Sequence, residues 1–204
     1  MARPSLVLWC DLETTGIDPD HEHAAVLEAS FELCYPSGKE ILGATTVLHW
    51  PTAFPITDVW SKHFETGLMD ECRTEGVPRR SDFDAQFATI LEEERDKKNA
   101  IIYLAGSSVH FDRGWMKKHL PYIDQELHYR MIDVRTLFLF LQFQGVDVRV
   151  RDGQDKSEIH RAEADMRWAK RAYYQIEKMW KGVKALDSLS TGVTELGFEP
   201  GKES

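Results

Sequence analysis

The stretch Ser5-Leu6-Val7-Leu8-Trp9-Cys10-Asp11-Leu12-Glu13-Thr14-Thr15-Gly16 decides how this chain is read. Its apolar, strand-like part runs from Ser5 to Leu12 and ends against Thr14-Thr15-Gly16 and Asp18-Pro19, which are turn formers. Asp11 and Glu13 are separated by one residue at the end of that strand, so the period of two points both carboxylates to one face. Two like charges there repel each other unless a cation sits between them. An isolated Asp-x-Glu is more often a solvated strand end, so the pair carries weight only with partners elsewhere in the chain.

Working outward, Ala25 to Cys34 and Ile41 to His49 read as strands with Pro36-Ser37-Gly38 as the turn between them, an antiparallel meander at the start of the domain. Ser81-Asp82-Phe83-Asp84 resembles a capping box, and Phe83, Phe87, Ile90 and Leu91 then recur at helical spacing until Lys97-Lys98-Asn99. Ala100 to Ala105 predicts a short buried strand, turned by Gly106-Ser107-Ser108 into a helix over Asp112 to Leu120. Met131 to Val134 predicts another strand, followed by a helix from about Thr136 to Phe143. Gly145 to Ser157 has no apolar periodicity and reads as a polar loop. A last helix is expected from about Ala162 to Trp180, with Ala162, Met166, Ala169, Tyr173, Ile176 and Trp180 on one stripe. Residues 1–184 therefore form one domain, and the Ser-, Thr-, Gly- and Glu-rich residues 185–204 are expected to be a flexible tail. Strands first, then strands alternating with helices, predict an α/β fold, a mixed β-sheet flanked by α-helices. Periodicity alone does not choose among such folds.

Composition limits the mode of action. The chain has 204 residues, enough for one substantial core, and no apolar run approaches the roughly 18 to 20 residues of a membrane span. Met1-Ala2-Arg3-Pro4-Ser5 leads into a strand rather than a signal-peptide core, so a cytoplasmic protein without a membrane partner is expected. Cys10, Cys34 and Cys72 lack the paired spacing of a zinc site and read as reduced structural thiols. The net charge of −9 argues against a protein that coats long nucleic acid. It leaves open a small anionic substrate held through metal ions, since carboxylates that bind cations count as negative in the sum.

Asp112 stands where a strand gives way to a helix, a place where open α/β sheets put ligand-contacting residues, although alone it would more often be a helix cap. Asp165 lies near the start of the last helix, with His160 in the loop before it. A histidine in a polar loop is usually just solvated, and an aspartate there can simply favour a helix N-terminus. Together these pieces meet a family pattern. Leu8 to Pro19 resembles the first motif of the DEDDh 3′→5′ exonucleases, Gly106-Ser107-Ser108-Val109-His110-Phe111-Asp112 the second, and His160-Arg161-Ala162-Glu163-Ala164-Asp165 the third. The resemblance implies the RNase H-like fold and a cage of Asp11, Glu13, Asp112 and Asp165 for two divalent ions, Mg²⁺ or Mn²⁺. Such ions, roughly 3.5 to 4 Å apart, position an attacking water and stabilise the charge developing on phosphate. His160 would be the general base. A tyrosine at that place marks the sister subclass.

Within the superfamily the chain is most similar to the oligoribonuclease family over roughly Leu6 to Ile176. Trp60 and then His63-Phe64-Glu65-Thr66-Gly67-Leu68, Asp112-Arg113, Leu120-Pro121, and above all His128-Tyr129-Arg130-Met131-Ile132-Asp133-Val134 follow that family's order. The resemblance implies a 3′→5′ exoribonuclease that hydrolyses short RNA, down to dinucleotides, to 5′-mononucleotides. It also implies that Ile17 wedges against the bases, Trp60 stacks on one, and Ser108 and His63 contact the backbone, while His128, Tyr129 and Arg130 reach across a homodimer interface. Taken without the family, Trp60 could equally be a core residue. The chain departs from the pattern at Ser107, where asparagine is expected, at Phe111, where a polar residue is usual, at Arg135, where a small hydroxyl residue is usual, and in a shorter spacing from Trp60 to His63. Two other readings stand beside this one: a DEDDh exonuclease of single-stranded DNA or longer RNA, and a noncatalytic nucleic-acid binding module that keeps the fold.

Overall fold

A computed structural model describes residues 3–48, 63–76, 80–146 and 161–195. Three strands open the chain: β1 (Ser5–Thr14), β2 (Val26–Cys34) and β3 (Glu40–Val47). A short helix α1 (Leu68–Thr74) and a long one α2 (Arg80–Lys98) precede β4 (Ile101–Gly106) and α3 (His110–His119). Then come α4 (Pro121–Gln125), β5 (Leu127–Asp133), α5 (Val134–Phe143) and α6 (Ala162–Glu195). The sheet order is β3-β2-β1-β4-β5. The β1–β2 and β2–β3 pairs are antiparallel, the expected meander, while β4 and β5 run parallel to β1. This is the mixed sheet flanked by helices that the element pattern predicts.

Alternation along the central strand sorts the core into two layers. Leu6, Leu8, Cys10 and Leu12 of β1 pack with Phe31, with Phe87 and Leu91 of α2, and with Trp115 and Met116 of α3. Val7 and Trp9 face the other way, onto Met166, Ala169 and Ala172 of α6 and Val134 of α5. Each Leu, Val, Phe or Met among them taken wholly out of water contributes about 1.5 to 3 kcal/mol. Gly106 ends β4 where the chains are closest: a Cβ there would meet the Cys10 carbonyl oxygen at 2.7 Å.

Several elements differ from the sequence reading. The helix expected to begin with a capping box at Ser81 starts at Arg80, and the Asp84 carboxylate instead accepts the Tyr122 and Ile123 amides at 3.1 and 2.9 Å. Those amides open α4, which has no side-chain cap of its own and would otherwise leave them unsatisfied. β5 begins at Leu127 rather than Met131, so His128, Tyr129 and Arg130 lie on the edge strand. The last helix continues beyond Trp180 to Glu195, in a stretch that holds no proline and only isolated glycines, which a helix tolerates. Residues 196–204, and the loop expected over much of 145–157, lie outside the described residues. All three cysteines are free and buried. Among the described residues no helix is long and apolar enough to cross a membrane.

Candidate active site

The odd residues of β1 that face α6 continue from Val7 and Trp9 to Asp11 and Glu13. The same packing that seats α6 on the sheet therefore aims both carboxylates at its first turn, which carries Asp165. Ligand oxygens of Asp11, Glu13 and Asp165 all lie within 4.8 Å of one another. Asp112 reaches the same strand end from α3, buried, with Oδ1 accepting the Leu12 amide at 3.0 Å. The structure thus brings Asp11, Glu13 and Asp165 together and sets Asp112 against the backbone between the first two.

Electrostatics mark the spot. Burial, followed by the charges of Asp165, Glu28 and Asp112, pushes the Glu13 carboxyl up to about 8, with Arg161 opposing. Burial likewise lifts Asp112 to about 8 against the Leu12 amide that favours its anion, and Asp133 adds to the rise. Asp11 is raised well above the usual carboxylate range by burial and then by Asp112, Glu13, Asp165 and Glu28. Carboxylates packed this closely ionise together only if cations offset them. An all-oxygen donor set of this kind suits hard divalent ions such as Mg²⁺ or Mn²⁺.

Sequence reasoning missed the support behind this cluster. Glu28 pairs in register with Glu13 across β1 and β2 and is buried. It accepts from the Arg161 guanidinium at 2.9 Å and from the Ala162 amide at 2.9 Å, while Arg161 also donates to Glu71 of α1 at 2.7 Å. One arginine thereby ties β2 and α1 to the first residues of α6. The available signal was a charge inside the apolar run Val26 to Cys34, where only a paired carboxylate is tolerated.

The remaining expected residues divide. Ile17 is 81% exposed just beyond β1. His63 is buried, its Nε2 3.0 Å from the Thr14 carbonyl oxygen and its Nδ1 3.6 Å from Glu13 Oε2, so it adjoins the carboxylates. Ser108 holds a left-handed backbone, φ 56°, and its amide donates to Asp133 Oδ1 at 3.1 Å. Such strained positions in non-glycine residues cluster at functional sites. The His128 ring meets those of Tyr103 and Tyr129 in tilted contacts, with centroids 4.9 and 4.4 Å away, and Arg130 lies over the Tyr129 ring at 5.1 Å. These edge-strand residues belong beside the first half of β4, whereas the carboxylates sit at the far end of β1, so within one chain the two groups are not brought together. Trp60 and His160 lie outside the described residues.

Comparison with known proteins places this geometry. No family model matches the chain. It is 30% identical over 181 residues to the oligoribonuclease of Klebsiella pneumoniae, covering 85% of this chain and 96% of that one. With the oligoribonuclease of Vibrio campbellii it shares 31% identity over 166 residues, 79% of this chain and 87% of that one. Among solved structures, E. coli exonuclease I in its zinc-bound complex with single-stranded DNA superposes with a TM-score of 0.62 at 17% identity, over 93% of this chain and 43% of that one. That likeness carries the fold, the RNase H-like arrangement of DEDDh exonucleases, and the chain spans less than half of exonuclease I. The identity to the curated relatives, sustained over nearly their whole length, carries more: the chain belongs to the oligoribonuclease family.

Proposed function

We propose that this protein is a metal-dependent 3′→5′ exoribonuclease that hydrolyses short single-stranded RNA, down to dinucleotides, to 5′-mononucleotides. The observation that carries the reading is the convergence of Asp11, Glu13 and Asp165 oxygens within 4.8 Å, with Asp112 beside them, in a chain related along its length to oligoribonucleases. Asp11, Glu13, Asp112 and Asp165 would hold two divalent ions, Mg²⁺ or Mn²⁺. When bound, these supply Lewis acidity toward the scissile phosphate and the positive charge that lets the carboxylates ionise. His160, directly before Arg161 in the chain, takes the proton of the attacking water. Ile17 and Trp60 engage the bases, His63 and Ser108 the backbone.

We further propose a homodimer in which His128, Tyr129 and Arg130 act on the neighbouring protomer's substrate. The edge strand β5, which has no partner on its outer side among the described residues, supports it, as does the apolar surface of the helix that follows, where Leu139, Phe140 and Phe143 are exposed. The free thiols suit a reducing compartment, and we place the enzyme in the cytoplasm. The test is product analysis on end-labelled RNA and DNA oligomers of graded length with Mg²⁺ or Mn²⁺. Mononucleotides released from the 3′ end, with the shortest RNA consumed fastest, is the expected result. Faster cleavage of long single-stranded DNA would overturn the substrate assignment.

A further inference from the structure

The loop between β1 and β2 carries Ile17, and helix α3 holds that loop at its tip. Where the loop leaves the sheet it is closed by its own residues: the Thr15 amide donates to the Ala25 carbonyl oxygen at 3.0 Å, and Thr15 Oγ1 accepts the Ala25 amide at 2.9 Å. The tip is fastened to the last turn of α3, where Lys118 pairs with Asp20 and His119 Nε2 lies 3.0 Å from the Pro19 carbonyl oxygen. A carbonyl oxygen only accepts, so the imidazole donates through Nε2. The Lys118–Asp20 pair is exposed on both sides and contributes little. The imidazole is better braced: it stacks on the buried Trp115 indole, with centroids 5.1 Å apart and 27° between the planes, and Trp115 in turn meets Phe111 at 6.2 Å. Phe111, Trp115 and His119 recur four residues apart, so they form one aromatic stripe along α3.

The same helix carries Asp112 in its first turn, with Oδ1 accepting the Leu12 amide. α3 therefore grips the chain on both sides of Ile17, at Leu12 within β1 and at Pro19 beyond it. Phe111, where the family pattern has a polar residue, is the inner end of the stripe that braces this grip. Ile17 itself is exposed, so its side chain owes its place to the backbone on either side. An exposed apolar residue that is to meet a base gains most when that backbone is already ordered, because binding then need not order it.

We propose that His119 is a positioning residue for the substrate: through its bond to Pro19 it holds the Ile17 loop in the setting that seats a base of the oligonucleotide. The inference rests on the reading of Ile17 as a base contact in a nuclease, and its experiment keeps the two apart. Binding of a 5′-phosphorylated RNA dinucleotide is measured by calorimetry with Ca²⁺ in place of Mg²⁺. The proteins are the wild type, His119→Phe, His119→Gln, Ile17→Ala, and the double variant of His119→Phe with Ile17→Ala. Phenylalanine keeps the stack on Trp115 without the donor, whereas glutamine keeps a donor at similar reach without the ring. The expected result is about fivefold weaker binding for His119→Phe, the effect of one hydrogen bond, and affinity close to wild type for His119→Gln. Ile17→Ala should weaken binding about tenfold, and adding His119→Phe to it should change nothing further, because the two act through one contact. Equal affinity in His119→Phe and wild type, or losses that multiply in the double variant, would overturn the proposal and leave His119 as a residue that only closes the fold. Hydrolysis of the same dinucleotide in Mg²⁺ is scored separately. Wild-type hydrolysis together with uncoupled variants would sink this proposal alone. Coupled binding without any hydrolysis would sink the nuclease reading while upholding the role of His119, and a wild type that binds no dinucleotide would overturn both.

Discussion

Repulsion at the end of β1 sets what each carboxylate there can do. With Glu13 and Asp112 both pushed up to about 8, the full set of charges is available near neutral pH only when cations offset it. Asp112→Asn tests this directly, because the amide oxygen can still accept from Leu12 while the charge is gone. Losing several kcal/mol of transition-state charge stabilisation should slow hydrolysis by at least about a hundredfold. The same variant, stripped of metal at about pH 9 where the wild-type carboxyl is ionised, should melt roughly 3 °C higher because the repulsion has been removed. Slower turnover together with a lower melting temperature at that pH would make Asp112 a structural residue. Asp11→Ala, Glu13→Ala and Asp165→Ala should share the loss of rate. His160→Ala should lose rate while calorimetry still registers metal binding; lost metal binding would make it a ligand instead.

The elements that carry these residues owe their placement to burial, and α6 shows how. Met166, Ala169 and Ala172 seat it on Val7 and Trp9, and Glu28 holds its first residues through Arg161 and the Ala162 amide. Glu28→Ala leaves Arg161 without its buried partner and should cost about 3 kcal/mol, read from urea unfolding. A loss below about 1 kcal/mol would show that Glu71 alone suffices for Arg161. Much of this was legible in advance. β1, β2 and α2 announce themselves by apolar runs and helical spacing, and Asp11 and Glu13 share a face by strand period alone. What stayed hidden lacks a local signal. The sequence predicts this edge strand only from Met131 because His128, Tyr129 and Arg130 show no apolar alternation, and the backbone there is held by Arg113 donating to the Leu127 and His128 carbonyl oxygens. The parallel register of β4 on β1 and the Glu28–Arg161–Glu71 link join residues far apart in the chain, which no periodicity encodes.

For the whole molecule, charge and assembly decide the behaviour in solution. A carboxyl raised by folding contributes stability that is complete below its unfolded value, about 4.3 for glutamate, and lost as pH rises through its folded value. For Glu13 that folded value is about 8. Metal-free protein should therefore lose stability steadily between those limits. Mg²⁺ held by the ionised set, as proposed, would displace protons, so the rise in Tm on adding it should grow from about pH 6 to about pH 8.5. A gain independent of pH would place the ion elsewhere. Assembly bears on the substrate. A dinucleotide offers few phosphates, and a chain of net charge −9 has little to hold it with beyond its metals and a few cations. His128, Tyr129 and Arg130 sit on β5, the edge of the sheet among the described residues, away from the carboxylates of their own chain, with Tyr129 70% exposed and Arg130 over its ring. Presented across a two-fold axis, they would meet the partner's substrate, Arg130 pairing with a terminal 5′-phosphate and Tyr129 donating its hydroxyl. Capping that end would leave no path for a longer strand, so the proposed preference for short RNA would follow from the proposed dimer. Arg130→Ala should remain a dimer by light scattering, cleave dinucleotides about tenfold more slowly, a loss of roughly 1.4 kcal/mol, and cleave longer RNA at an undiminished rate. A fully active wild-type monomer, or an unchanged ratio of short to long cleavage in the variant, would remove the second chain from the site.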